Sequence, residues 1–268
     1  MKKLPLFLGL PFCLMAFFSC ADSEGGGALI EERARIDVEW AHVESTRAAI
    51  TGQFLPDGSV FGITMLKEDV HDVAVQCVGE NFIIEYPIYV IGEHFQPFYA
   101  YYPKNRIIGG KVKMTPGDDV DYMWCATQIS RLDPKAFILF KHAQARITLQ
   151  LKKYAKSPGK GYIKELCMDG VAGKWMDVRN GRIDTVSHVF TSHLDTILSE
   201  EETIDVEWLV APDEFKDSTR FITCLLDGRP RKAAIPANKW KAGYHYTYSV
   251  MVGDTTIIGD KFIDKILR

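Results

Sequence analysis

The 268-residue chain carries 32 basic and 35 acidic residues, a net charge of −3, and no basic patch of the kind that binds nucleic acid stands out. Hydrophobic residues make up 47% and aromatic residues 12%, which is ample for packed cores, excludes a disordered chain and favours strands. The length suits one large domain or two of ordinary size.

The first twenty residues set the compartment. Lys2 and Lys3 precede an apolar run from Leu4 to Phe18, followed by Ser19 and Cys20. A charged start, an apolar centre and a small residue together make an export signal. The run falls short of the ~20 residues that cross a bilayer. Its end at Ser19-Cys20 fits a bacterial lipoprotein signal, with Cys20 as the lipid-bearing first residue of the exported chain. Phe17 and Phe18 stand where such signals carry a leucine and a small residue, so the alternative is an ordinary signal cut near Ala21. Residues 21–27 (ADSEGGG) are a flexible spacer by composition, and Asp22 and Glu24 just after the anchor suit a surface location.

Beyond the spacer the dominant period is two. Ile36, Val38 and Trp40 alternate with Asp37 and Glu39. Ala145, Ile147, Leu149 and Leu151 share one strand face, and Ile204, Val206 and Trp208 another. Tyr244, Tyr246, Tyr248, Val250 and Val252 form a third. This is the pattern of half-buried antiparallel strands. Turns are marked by Pro56-Asp57-Gly58, Gly109-Gly110, Pro116-Gly117-Asp118, residues 158–161 (PGKG) and Asn180-Gly181, the last being the best two-residue hairpin signal. Ser192 to Glu202 reads as a short helix, and Phe262 to Leu267 is ambiguous. A polar, Pro-containing stretch at residues 130–135 (SRLDPK) predicts a boundary between an N-terminal domain, 48–133, and a C-terminal domain, 134–268. Residues 1–19 are then the signal, and 20–47 a lipidated spacer with a leading strand.

Cys77, Cys125, Cys167 and Cys224 remain outside the signal and anchor. An exported chain permits disulfides among them, in three pairings, while their strand-like surroundings suit small buried hydrophobes equally well. No CxxC is present.

Several segments resemble the fimbrillin family, the lipoprotein precursors of type V pilins. Residues 137–149 (FILFKHAQARITL) are similar to that family's apolar strand followed by F-x-H-A-x-A-[KR]-[VI]. Residues 240–250 (WKAGYHYTYSV) resemble its W-x-A-G-x-x-Y-x-Y. Thr46-Arg47-Ala48 with Phe61-Gly62-Ile63 resembles its N-terminal pattern, as do residues 99–103 (YAYYP) and 121–126 (DYMWCA). The resemblance implies an all-β fold of two transthyretin-like antiparallel β-sandwich domains in tandem. It further implies lipidation at Cys20 and proteolytic processing by an Arg-specific protease between Arg47 and Ala48. The strand ahead of the cut, with Ile36, Val38 and Trp40, would fill a groove in the precursor. Its loss would leave a slot for a strand from the next subunit, the candidate donor being Tyr244 to Ile258 or the tail beyond. Implied partners are other pilin subunits, as a homo- or hetero-polymer, the outer membrane through the lipid anchor, and a host or bacterial surface ligand.

Enzymatic and cofactor chemistry finds little support. Ser187-His188 and Ser192-His193-Leu194-Asp195 are adjacent in sequence, whereas a triad needs convergence in space. Asp118, Asp119 and Asp121 lack the glycine and terminal glutamate of a calcium loop. Gly159-Lys160-Gly161 is not a phosphate loop. His142 reads as a packed strand residue, and Tyr244, Tyr246 and Tyr248 as core or rim. The expectation is a non-enzymatic fimbrial subunit at the cell outer membrane, with no catalytic residue, cofactor or metal. The alternatives are a monomeric surface lipoprotein that binds glycan or a host ligand, and a secreted hydrolase.

Overall fold

The structure, a computed structural model, describes residues 33–44, 55–65, 70–253 and 257–264. The signal, Cys20, Arg47 and Ala48 lie outside the described residues. Twenty-one strands and no helix occur among the described residues. In chain order they are β1 Arg33–Arg35, β2 Asp37–Val43, β3 Val60–Met65, β4 Val70–Val78, β5 Asn81–Ile84, β6 Tyr89–Ile91 and β7 Gln96–Tyr102. Then come β8 Ile107–Ile108, β9 Lys111–Lys113, β10 Met123–Ile129, β11 Lys135–His142, β12 Ala145–Lys153, β13 Tyr162–Asp177 and β14 Ile183–Ile197. The last are β15 Ile204–Val210, β16 Asp213–Phe215, β17 Phe221–Leu226, β18 Arg229–Ala234, β19 Asn238–Trp240, β20 His245–Val252 and β21 Ile257–Asp264.

Strict alternation in the sequence becomes alternation in burial. In β11, Ala136, Ile138, Phe140 and His142 are buried while Lys135, Phe137, Leu139 and Lys141 are exposed. Burying a side chain such as Ile138 or Phe140 is worth about 1.5–3 kcal/mol. The first sheet runs β2-β11-β10-β7-β3-β4-β5, and its outermost strands, β2 and β5, approach one another. It closes over one core with Phe61, Ile63, Phe98, Ile138 and Phe140 at the centre and Val90 of β6 with the preceding Ile88 at the side.

A second core lies between two further sheets. One is β15-β12-β20-β21; the other is β18-β17-β13-β9-β8 with β14 along the opposite side of β13. Leu149, Tyr248 and Val250 from the former meet Leu166, Met168, Phe190 and Ile222 from the latter. A third, smaller cluster, including Tyr101, Val112, Met114, Tyr122, Ala143 and Met176, joins residues from both regions.

Several details depart from the sequence reading. β11 follows the polar stretch at 130–135 yet pairs with β10 and β2 inside the first sheet, while β9, drawn from 111–113, pairs with β13 in the second region and carries β8 on its outer side. The chain thus crosses between regions more than once, because sheet pairing responds to edge availability and not to chain order. The predicted helix at Ser192–Glu202 is instead strand as far as Ile197, since pairing with β13 satisfies the backbone groups on that side of it. Two pairs, β2 with β11 and β12 with β20, are parallel in an otherwise antiparallel fold. Asn180-Gly181 does turn the β13–β14 hairpin, through a four-residue loop: Asp177 and Arg182 pair, and Gly181 donates to the Asp177 carbonyl at 2.8 Å. Gly181 has φ 68°, and the Trp124 ring occupies the space a Cβ would need, so only glycine fits there.

Candidate functional site

The segment ahead of the expected cut is a strap across the first core. β1 pairs antiparallel with β6, and β2 runs parallel along β11 at the sheet edge. Ile36 sits between the two strands and donates to the Ile88 carbonyl at 2.9 Å. Asp37 and Glu44 donate to the carbonyls of Pro134 and Phe140. Ile36, Ala41 and Val43 are buried in the first core.

The predicted face of Ile36, Val38 and Trp40 is only partly the buried one. Ala136 stands opposite Val38 and Phe137 opposite Trp40, so Glu39 is one extra residue on β2. Such a bulge reverses the side-chain alternation. The inward positions pass from Ile36 and Val38 to Ala41 and Val43, and Trp40 is left half-buried against the exposed Phe137 ring, 5.7 Å between centroids. The bulged Glu39 carboxylate meets Lys135 Nζ at 2.6 Å. No sequence period predicts a one-residue slip of this kind.

The proposed donor region behaves differently. β20 is an interior strand between β12 and β21, with Tyr246, Tyr248, Val250 and Val252 buried. The stretch from Tyr244 is thus bonded on both sides, and its removal would empty the second core. β21 is the edge of that sheet.

The two best motifs are structural and converge in space. Trp240 Nε1 donates to the Tyr248 hydroxyl at 3.0 Å, and Tyr246 donates to the Lys239 carbonyl at 2.8 Å while accepting from the Lys241 amide. Burial pushes both phenols above their ordinary range. Gly243, at φ 72°, donates to the Gln144 carbonyl, and Arg146 donates to the Tyr244 carbonyl. On the other motif, His142 Nδ1 lies 2.7 Å from Asp121 Oδ2 with both side chains almost fully buried. Gln144 Oε1 accepts from the Tyr122 amide at 3.1 Å. These residues tie the connection between β11 and β12 to the third cluster and to the loop ahead of β20.

The sequence-adjacent Ser, His and Asp residues do not converge. Ser192, His193 and Asp195 follow one another along β14, His193 is exposed near Glu165, and Asp195 accepts from the Tyr162 hydroxyl. Asp118 accepts from Tyr122, Asp119 is exposed and Asp121 faces His142, so the acidic run splays apart. Among the described residues no cluster suited to a metal ion occurs. Cys77, Cys125, Cys167 and Cys224 are free thiols. Burial, reinforced by the Asp57 charge, raises the Cys77 thiol to about 11, and burial raises Cys224 to about 11. A groove of about 450 Å³ lies between β14, β15 and the loop at Pro116–Asp119, lined by Asp119, His188, Thr191, Ser192 and Glu207 over Trp208. Sequence reasoning missed it, since the loop at residues 116–119 lies far ahead in the chain of the strands it faces.

An edge-strapped all-β protein with structural motif residues is the class these features define. The chain belongs to the fimbrillin-like family, whose model matches residues 46–262. The fold is shared with a candidate cell adhesion protein of Bacteroides ovatus, at TM-score 0.65 and 13% identity over 87% of this chain and 98% of that one. A second such protein, from Bacteroides uniformis, superposes at TM-score 0.59 and 16% identity over 87% and 99%. A third, from Bacteroides fragilis, does so at 0.54 and 11% over 87% and 98%. No curated protein sequence matches the chain.

Proposed function

We propose that the chain is a structural or adhesive subunit of cell-surface fimbriae, exported as a lipoprotein through Cys20 and assembled by strand exchange after cleavage between Arg47 and Ala48. The strap carries this reading. Residues 33–44 form an edge element that fills the first core with Ile36, Ala41 and Val43, and the expected cut falls just beyond its end. Its departure would bare the β11 edge and the slot beside it, and a strand from another subunit would restore main-chain hydrogen bonds and pocket-filling side chains. The family match begins at residue 46, leaving the strap outside it. β21, at the edge of the second region, is the donor element this geometry favours over β20.

An Arg-specific protease applied to the purified chain should remove everything before Ala48 and yield a ladder of oligomers. Arg47→Ala should stay uncut and form no ladder. Cleavage at Ala48 without a ladder, or a ladder from the uncut variant, would sink the assembly reading. Cys20→Ser should release the protein from the membrane fraction; unchanged partitioning would remove the lipid anchor from the account.

The groove beside β14 favours a second reading, a monomeric glycan binder. It offers hydrogen-bonding side chains, but Trp208 and Phe190 are buried beneath them and present no open ring face for a sugar to stack on. Polysaccharide added to the uncut chain should therefore leave its melting temperature unchanged; a shift would favour this second reading.

A further inference from the structure

The edges of the sheets differ in how they are protected. β5 and β8 are short. β18 carries Pro230 among Arg229, Arg231 and Lys232, the usual means of blocking strand addition. β15, laid antiparallel on a copy of itself, would set Glu207 against Glu207. β14 has none of these defences over its central stretch. It is a long strand whose pairing among the described residues is with β13 alone, and it exposes Val186, Val189 and Ile197.

Its sequence is a near-palindrome about Phe190. Laid antiparallel on a second β14, Ile183 faces Ile197, Val186 faces Leu194, Val189 faces Thr191 and Phe190 faces its own copy. Each titratable residue faces a hydroxyl: Asp184 meets Thr196, Thr185 meets Asp195, Ser187 meets His193 and His188 meets Ser192. No like charges stand opposite each other, apolar residues face apolar residues or threonine, and every contact is repeated by the two-fold axis, as an isologous interface requires. Asp195, at φ 43° where β14 has one residue more than β13, is a bulge that ends the regular ladder and leaves 186–194 as its core.

We propose that β14 is a self-complementary docking edge, through which a second copy of this chain pairs antiparallel about an axis at Phe190. The second sheet then continues from one molecule into the next. This contact needs neither cleavage nor strand exchange; in a fimbria it would join subunits laterally.

The test uses the chain carrying Cys20→Ser and Arg47→Ala, so that neither lipid nor processing contributes, in sedimentation equilibrium over a concentration series. A reversible monomer–dimer equilibrium is expected. Adding Val189→Asp with Thr191→Asp places two like-charge pairs across the axis and should weaken dimerisation by about tenfold or more. Val189→Lys with Thr191→Asp replaces them with opposite charges and should restore it. A parent that stays monomeric throughout, a doubly acidic variant that dimerises as well as the parent, or a charge-paired variant as weak as the acidic one would each overturn the proposal.

Discussion

The two parallel-paired strands near the ends of the chain, β2 and β20, look alike in sequence and differ in consequence. Both alternate apolar and polar residues, and each lies parallel to one of two consecutive strands, β11 and β12. β2 is an edge, bulged at Glu39, and contributes a few buried side chains. β20 is interior, and its phenols are bonded to Trp240, Asn238 and the Lys239 carbonyl. Detachability is therefore a property of position in the sheet and not of the strand's own pattern. A strand bonded on one side can leave behind a slot, whereas one bonded on both sides takes the core with it.

This contrast can be broken by mutation. Tyr248→Ala should cost about 3–5 kcal/mol in denaturant unfolding, as large-to-small changes at fully buried aromatics do. If it costs no more than a surface change, β20 is not the pillar described here. His142→Ala should cost about 3 kcal/mol or more, because it strands the buried Asp121 carboxylate without its partner. Ile36→Ala should cost about 2–4 kcal/mol in the uncut chain, and proteolytic susceptibility should rise in the strap alone. Trp40→Ala, on the outer side of the bulge, should cost under about 1 kcal/mol; a cost equal to that of Ile36→Ala would contradict the phase reversal at Glu39.

The β13–β14 hairpin supplies a gentler probe. Arg179 holds the Asp177 carboxyl below its usual range through bonds of 2.8 Å from Nε and 2.5 Å from Nη2. A depressed carboxylate stabilises the fold above its unfolded pKa of ~3.9, and that contribution fades as pH falls through the lower native value. Melting temperature followed from pH 5 downward should drop less steeply in Asp177→Asn than in the parent. Parallel curves for the two proteins would remove this pair from the acid limb. With thiols held near 11, Cys77 and Cys224 should resist alkylation at pH 8 until denaturant is added.

The two structural motifs were legible in the sequence, whereas Cys20, Arg47 and Ala48 lie outside the described residues. Residues 137–149 stand out by their strict alternation, and residues 240–250 because they bond motif residues to near neighbours, as Trp240 does to Tyr248. The pairing of His142 with Asp121 and the meeting of Gly243 with Gln144 join distant stretches, and no period encodes them. The helix expected at Ser192–Glu202 gives way to strand up to Ile197 because the local preference there is weak and the segment continues a β14 that makes thirteen registered pairs with β13.

The sequence by itself determined the all-β class, most turns and the family membership, because alternation and glycine placement act within a few residues. Tertiary structure decided which strands are edges, where β2 slips its phase, and that β20 is enclosed while β14 is open. Those depend on which backbone groups find partners from far along the chain, and hydrogen-bonding capacity is identical in every residue but proline.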